Sequence, residues 1–275
     1  MNLHGTQTAL FKIYLDSGYR LAHRLDAHAY AAHMGLRGEE ARVITAITPD
    51  ELDYFAASLR GKHGMLLNSA LPCTCRWIEQ NEPAIIQEYF DVFRPSRSQG
   101  REAVATNFAP FVREYCDFRE AVPPALADVT EFELALFQAR EPRATSKRAE
   151  SKAGSARVEN FSWESIYWMP ERTVVTEFGT DPLSIFLGKA EMESETKPTG
   201  ILIAPPWQGD KPVILRLASI ACKALKNLSE PVSASELIET CADQGVSITN
   251  GSIRSVLTSL ANVGAIGYRH VEGRG

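Results

Sequence analysis

Two short β-branched, apolar runs, Ile201-Leu202-Ile203 and Val213-Ile214-Leu215, flank a Gly- and Pro-containing stretch from Pro205 to Pro212. No other part of the chain constrains its fold as tightly. Runs of this length and composition form strands, and turn residues between them close a hairpin. Helical spacing then takes over. Leu217, Ile220/Ala221, Ala224 and Leu228 place one apolar stripe on a first helix. Ser233 with Glu236 is a capping box, which starts a second helix with Leu237, Ile238 and Cys241 inward and Gly245 at its stop. Ile253, Val256, Leu257 and Leu260 predict a third helix from about Thr249 or Asn250 to Gly264, and GAIGYRHV closes the stretch as an extended segment. A hairpin, three helices and an extended end predict a winged-helix-like unit.

Such a unit commonly reads DNA or holds a peptide. Reading DNA requires several Lys or Arg for phosphates and base-reading side chains on the recognition helix. The outer face of the third helix, Ser252, Arg254, Ser255, Thr258, Ser259 and Asn262, offers one arginine. Holding a peptide requires an exposed strand edge and a groove beside it for alternate side chains. The expected edge is Val213, Ile214, Leu215, Arg216 and Leu217, and the expected groove border is Arg254, Ser255, Thr258 and Asn262. A winged-helix transcription regulator stays as the alternative.

The run VILRLASIACKALKNLSEPVSASELIETC followed by IRSVLTSLANVGAIG resembles the PqqD-like precursor-recognition domain of enzymes that modify ribosomally made peptides. The resemblance implies binding of a precursor's leader at the strand edge and the third helix.

A second resemblance lies upstream. ALPCTCRWIEQNEPAIIQEYFDVFRP, NFAPFVREY and PPALADVTEFELALFQAR, within Leu71 to Arg140, are similar to the helical domain of partner subunits of multinuclear non-haem iron oxidases, of the TglI and MbnC type. The most specific piece is Pro124-Ala125-Leu126-Ala127-Asp128-Val129-Thr130-Glu131-Phe132-Glu133. Together the resemblances imply a non-catalytic companion in a heterodimer. It would bind the leader and present a precursor cysteine to a separate oxidase, which holds the iron and uses dioxygen. In the 3-thiaglutamate branch, favoured on total length and the separate C-terminal domain, that oxidase excises the β-carbon of a C-terminal cysteine; in the methanobactin-like branch it makes oxazolone and thioamide groups.

The rest of the chain is read from its residues. At 275 residues, 44% hydrophobic and 23% charged, it is long enough for two domains and ordinary for a globular protein. A net charge of −5 does not suit a polyanion binder, so no nucleic acid is expected. No signal peptide or membrane-length apolar run is read, and five scattered cysteines suit reduced thiols, so a cytoplasmic location without membrane contact is expected. Thr8 to Ala32 is expected as one amphipathic helix. His23, His28 and His33 near its end, five apart, turn by roughly 140° from each to the next and make no common ligand face. Thr48-Pro49-Asp50-Glu51 caps a helix with Leu52, Phe55, Ala56 and Leu59 inward and Gly61 as its stop. Cys73 and Cys75 read as packed thiols. Aromatic helices follow from Pro83 to Phe93 and through Phe108 to Phe118, the second interrupted or kinked near Pro110, and Pro123-Pro124 opens another.

The predicted fold class is α+β: a mainly helical domain over 1–140, a basic linker over 141–157, and a winged-helix-like α+β domain over 158–275. Phe161, Trp163, Tyr167 and Trp168 form an aromatic cluster expected as domain packing or partner interface. The chain carries no GxSxG, P-loop, strand-borne GxGxxG or HExxH. Glu131 and Glu133 point to different faces of a helix, and five of the six histidines lie in the first quarter. No catalytic residue, metal site or cofactor of its own is expected.

Overall fold

In a computed structural model, the described residues are 3–93, 100–140, 158, 161–194, 197–206 and 211–271. The expected linker, the hairpin's turn at 207–210 and the side chain of Leu59 fall outside them. The protein has an α+β fold, with a mostly helical N-terminal region and a C-terminal region rich in strands and helices. Packing divides it into two compact units, Met1–Phe118 and Arg119–Gly275.

The first unit contains α1 (Leu3–Leu15), α2 (Ser17–Leu25), α3 (Ala27–His33), α4 (Glu39–Thr45), α5 (Pro49–Ala70), α6 (Pro72–Asn81), α7 (Ala84–Val92) and α8 (Arg101–Phe118). The single helix expected over Thr8 to Ala32 is three. Asp16 and Asp26 adopt extended backbone, and each turns its carboxylate onto the amides that follow, Asp16 onto Gly18 and Tyr19 and Asp26 onto Ala29. An aspartate in that role starts a new helix although the apolar period continues through it. Ala9, Ile13, Tyr30, Ala31, Leu36, Ile44 and Leu52 form one core beneath these helices.

Two helix boundaries also differ from expectation. Thr48 and Glu51 form the expected capping box, but α5 runs past Gly61 to Ala70. Glycine costs a helix about 1 kcal/mol relative to alanine, and burial of Leu67, Ala70 and Leu71 outweighs that cost. Helix α8 continues with Pro110 in its interior, so the expected interruption does not occur. Phe108, Ala109 and Val112 are buried on either side of the proline, and this packing holds the helix where one backbone donor is missing.

The second unit begins with α9 (Ala125–Arg140) and continues through β1 (Ile166–Trp168), β2 (Val174–Phe178), α10 (Pro182–Phe186), β3 (Thr199–Ala204), β4 (Val213–Leu217), α11 (Ser219–Leu225), β5 (Val232–Ser233), α12 (Ala234–Asp243), α13 (Asn250–Asn262) and β6 (Gly267–Arg269). The expected hairpin is β3–β4, antiparallel with Leu202 opposite Leu215. Ser233 and Glu236 form the capping box of α12, and Gly245 and Gly264 take positive φ just after α12 and α13, where a side chain would be strained. The closing segment β6 does not join the hairpin. It pairs with β1 in a separate sheet, β5-β1-β6, while the hairpin belongs to β2-β3-β4.

Sheet β2-β3-β4 is covered on both faces. Phe178, Ile201 and Ile203 meet Phe132, Ala135, Leu136 and Ala139 of α9 on one face. Leu202 and Ala204 join the core of α11, α12 and α13 on the other. Asp128 fastens α9 to the end of β2: its Oδ2 accepts from Thr180 N–H and Oγ1, both at 2.9 Å. The most specific resembling stretch therefore packs within the strand-bearing unit.

Gly200 lies opposite Leu217 in the pairing of β3 with β4. A Cβ there would sit 2.8 Å from the Leu217 carbonyl oxygen and 3.3 Å from Cys222 Cβ. Gly200→Ala is expected to lower the stability of this unit by about 1–3 kcal/mol, the usual cost of overpacking, measured as a shift of the urea midpoint; an unmoved midpoint would show that β4 gives way freely.

Candidate peptide-binding edge

Among the described residues, strand β4 is an outer strand of its sheet, with β3 on one side only. Its side chains alternate. Val213, Leu215 and Leu217 lean on the core of α11 to α13, and Ile214 on the core of α9. None is sealed: all four are half-buried and Arg216 is exposed. On β3 next to it, Ile201, Leu202, Ile203 and Ala204 are at most 1% exposed. An edge strand presents unpaired backbone donors and acceptors, and here partly open apolar side chains accompany them.

Arg216 is held on the α9 side. Its Nη2 donates to Asp181 Oδ2 at 3.0 Å, Asp181 Oδ1 at 3.3 Å and Ser184 Oγ at 2.9 Å. Asp181 also caps α10, accepting from Ser184 N–H and Oγ. Burial alone would raise the Asp181 carboxyl, but the hydrogen bonds from Ser184 and Arg216 and the guanidinium charge outweigh it and hold the group below its ordinary range. Asp181-Pro182 with Ser184 is a local helix-start signal, an N-cap followed by proline at the first position, but α10 is only five residues long and carries no apolar period to go with it.

Of the expected groove residues on α13, two are engaged by another segment of the chain. Arg254 stacks its guanidinium over the Phe161 ring at 5.5 Å. Asn262 Oδ1 accepts the Val158 N–H at 2.8 Å. Thr258 Oγ1 is buried without a partner among the described residues, and Ser255 is exposed. The flank carrying Arg254, Thr258 and Asn262 thus bears Val158 and Phe161 of the same chain. Both elements line one core, but no hydrogen bond or ring contact joins these α13 side chains to β4 among the described residues.

The aromatic cluster is likewise built inward. Phe161 meets Trp163 edge-on at 4.8 Å and stacks with Tyr167 at 6.3 Å, and Tyr167 lies against Tyr268 at 5.3 Å. Tyr167 is fully buried, which pushes its phenol well up, so it supports the cluster from beneath. Phe161, Trp163 and Trp168 remain half-buried, and Trp168 covers Gly267, where a Cβ would overlap its ring.

Among the described residues no group of three His, Cys, Asp or Glu is placed to hold a metal ion, and no helix is long and apolar enough to cross a membrane. No protein-family model matches the chain, and no curated protein matches it.

Two measurements test this geometry. Because Asp181 is depressed in the folded state, its contribution to stability is complete above the unfolded value of about 4. It is lost as pH falls from there through the folded value. Asp181→Asn keeps a capping side chain without the charge, so its thermal midpoint is expected to fall less steeply below that pH; an acid limb identical to the wild type would show that the charge contributes nothing. Asn262→Ala leaves the Val158 N–H without its acceptor and is expected to cost about 1–2 kcal/mol in chemical denaturation.

Proposed function

We propose that this protein binds the leader of a ribosomally made precursor peptide as an added strand on β4. It would present a cysteine of that precursor to a separate multinuclear non-haem iron oxidase. The observation that carries the reading is the contrast across the hairpin: β3 is sealed on both faces, whereas β4 has an open edge and half-buried apolar side chains. An extended peptide there would gain main-chain hydrogen bonds for affinity and contacts at alternate side chains for choice. The order of sheet β2-β3-β4, then α11, α12 and α13, suits a winged-helix-like recognition domain of the PqqD type, and the helical stretch from Leu71 to Arg140 suits an oxidase companion.

In this reading the chain carries out no bond-making. It raises the effective concentration of the reacting cysteine at the partner's iron, since leader binding turns delivery into an intramolecular step. The 3-thiaglutamate type of reaction, excision of a cysteine β-carbon, is the form favoured. The half-buried aromatics Phe161, Trp163 and Trp168 are the surface offered to the oxidase.

The test is co-expression with an iron oxidase encoded beside this chain, followed by titration of the labelled leader against each component and the complex. A co-eluting complex with leader affinity residing in this chain is the expected result. Alternate backbone N–H groups of an outer strand point outward, so proline scanning separates two sets. At one parity, Val213 and Leu215 or Ile214 and Arg216, proline is expected to weaken leader binding about five- to tenfold with unchanged stability. At the other it breaks the ladder with β3 and lowers stability. Full leader affinity in folded variants of both parities would overturn the placement, and salt-sensitive retention of duplex DNA without peptide binding would replace it with a DNA-binding regulator.

A further inference from the structure

Arg216 is the one charged side chain of β4, and its side chain is 49% exposed. All three of its bonds to Asp181 and Ser184 leave from Nη2. Nε and Nη1 have no acceptor among the described residues, so donors on the rest of the guanidinium stay open. The side chain is nevertheless held in place by those bonds, and a new partner would immobilise little that is not already fixed. Asp181, the nearest carboxylate, is engaged by Ser184 N–H and Oγ as well as by Nη2.

The register sets what lies beside it. Arg216 has Ile201 across from it on β3 and, among the described residues, no strand on its other side. A strand added there places one residue directly across from Arg216 on the same face, with Cβ atoms about 4.5–5.5 Å apart, where opposite charges stabilise and like charges destabilise. The neighbouring positions of that strand fall beside Leu215 and Leu217, on the opposite face, which leans on an apolar core.

We propose that Arg216 determines the specificity of the β4 edge by pairing with an aspartate or glutamate at the facing position of the bound peptide, between apolar residues that lie beside Leu215 and Leu217. This rests on the reading of β4 as a peptide-binding edge and names the peptide chemistry that edge selects: an extended apolar segment bearing one carboxylate.

The experiment displays a library of short random peptides to the purified full-length chain and to its Arg216→Gln and Arg216→Glu variants. The wild type is expected to enrich alternating apolar peptides with one acidic position, and Arg216→Glu to enrich Lys or Arg there. Charge reversal gives a gain that simple loss of the Asp181 contact would not produce. For a labelled peptide from the wild-type selection, Arg216→Gln is expected to weaken binding roughly three- to fivefold. Changing the peptide's acid to its amide should cost the wild type as much and the variant almost nothing. Enriched peptides without an acidic position, or a carboxylate effect that persists in Arg216→Gln, would overturn the role of Arg216 while leaving the peptide edge standing, provided that folded β4 proline variants of one parity weaken capture. Failure of the wild type to enrich any peptide would overturn the peptide-binding reading itself and this inference with it.

Discussion

The burial of β3 on both faces is the constraint from which the second unit is built. Its side chains alternate between two cores, Ile201 and Ile203 against α9 and Leu202 and Ala204 against α11 to α13. A strand enclosed this way reads as a continuous apolar run, ILIA, rather than as an alternation of apolar and polar residues. It also fixes its neighbours, because slipping β4 by one residue would exchange the two sets of side chains between cores. Arg216 would then turn toward the core of α11 to α13 and leave Asp181 and Ser184 behind.

The same arrangement accounts for the character of β4. The strand is complete on the side of β3 and incomplete on the other, and its apolar side chains reach both cores without being closed over. Where the α13 flank already bears Val158 and Phe161, the edge carries no such cover among the described residues. An outer strand of this kind leaves backbone groups and part of its apolar side chains open on one side only.

Legibility followed the range of the interactions involved. The α12 capping box and the stop of α13 are encoded within four or five residues, and each strand of the hairpin within five or six, so all are visible in the sequence. The first three helices were not separated, because Asp16 and Asp26 interrupt the backbone without interrupting the apolar period. Gly61 misleads for the opposite reason: its local cost is real, but packing further along the chain, at Leu67 and Leu71, prevails. Within the candidate edge, the strand was legible and its neighbours were not. That Arg254 and Asn262 face Val158 and Phe161 depends on contacts separated by more than ninety residues, as does the sheet formed by β1 and β6, and periodicity carries no record of these.

The Asp128–Thr180 tie has a practical side for anyone dissecting the chain. Cutting at the compositional break after Arg140 would appear to release the strand-bearing half intact. It would instead strip away Phe132, Leu136 and Ala139, leave Ile201 and Ile203 facing water, and orphan the Thr180 amide. A naked sheet face of this kind is a seed for self-association. The compact unit that keeps its own floor starts at Arg119, so α9 is to be treated as the foundation of the strand-bearing half, although it lies on the far side of the compositional break from the strands.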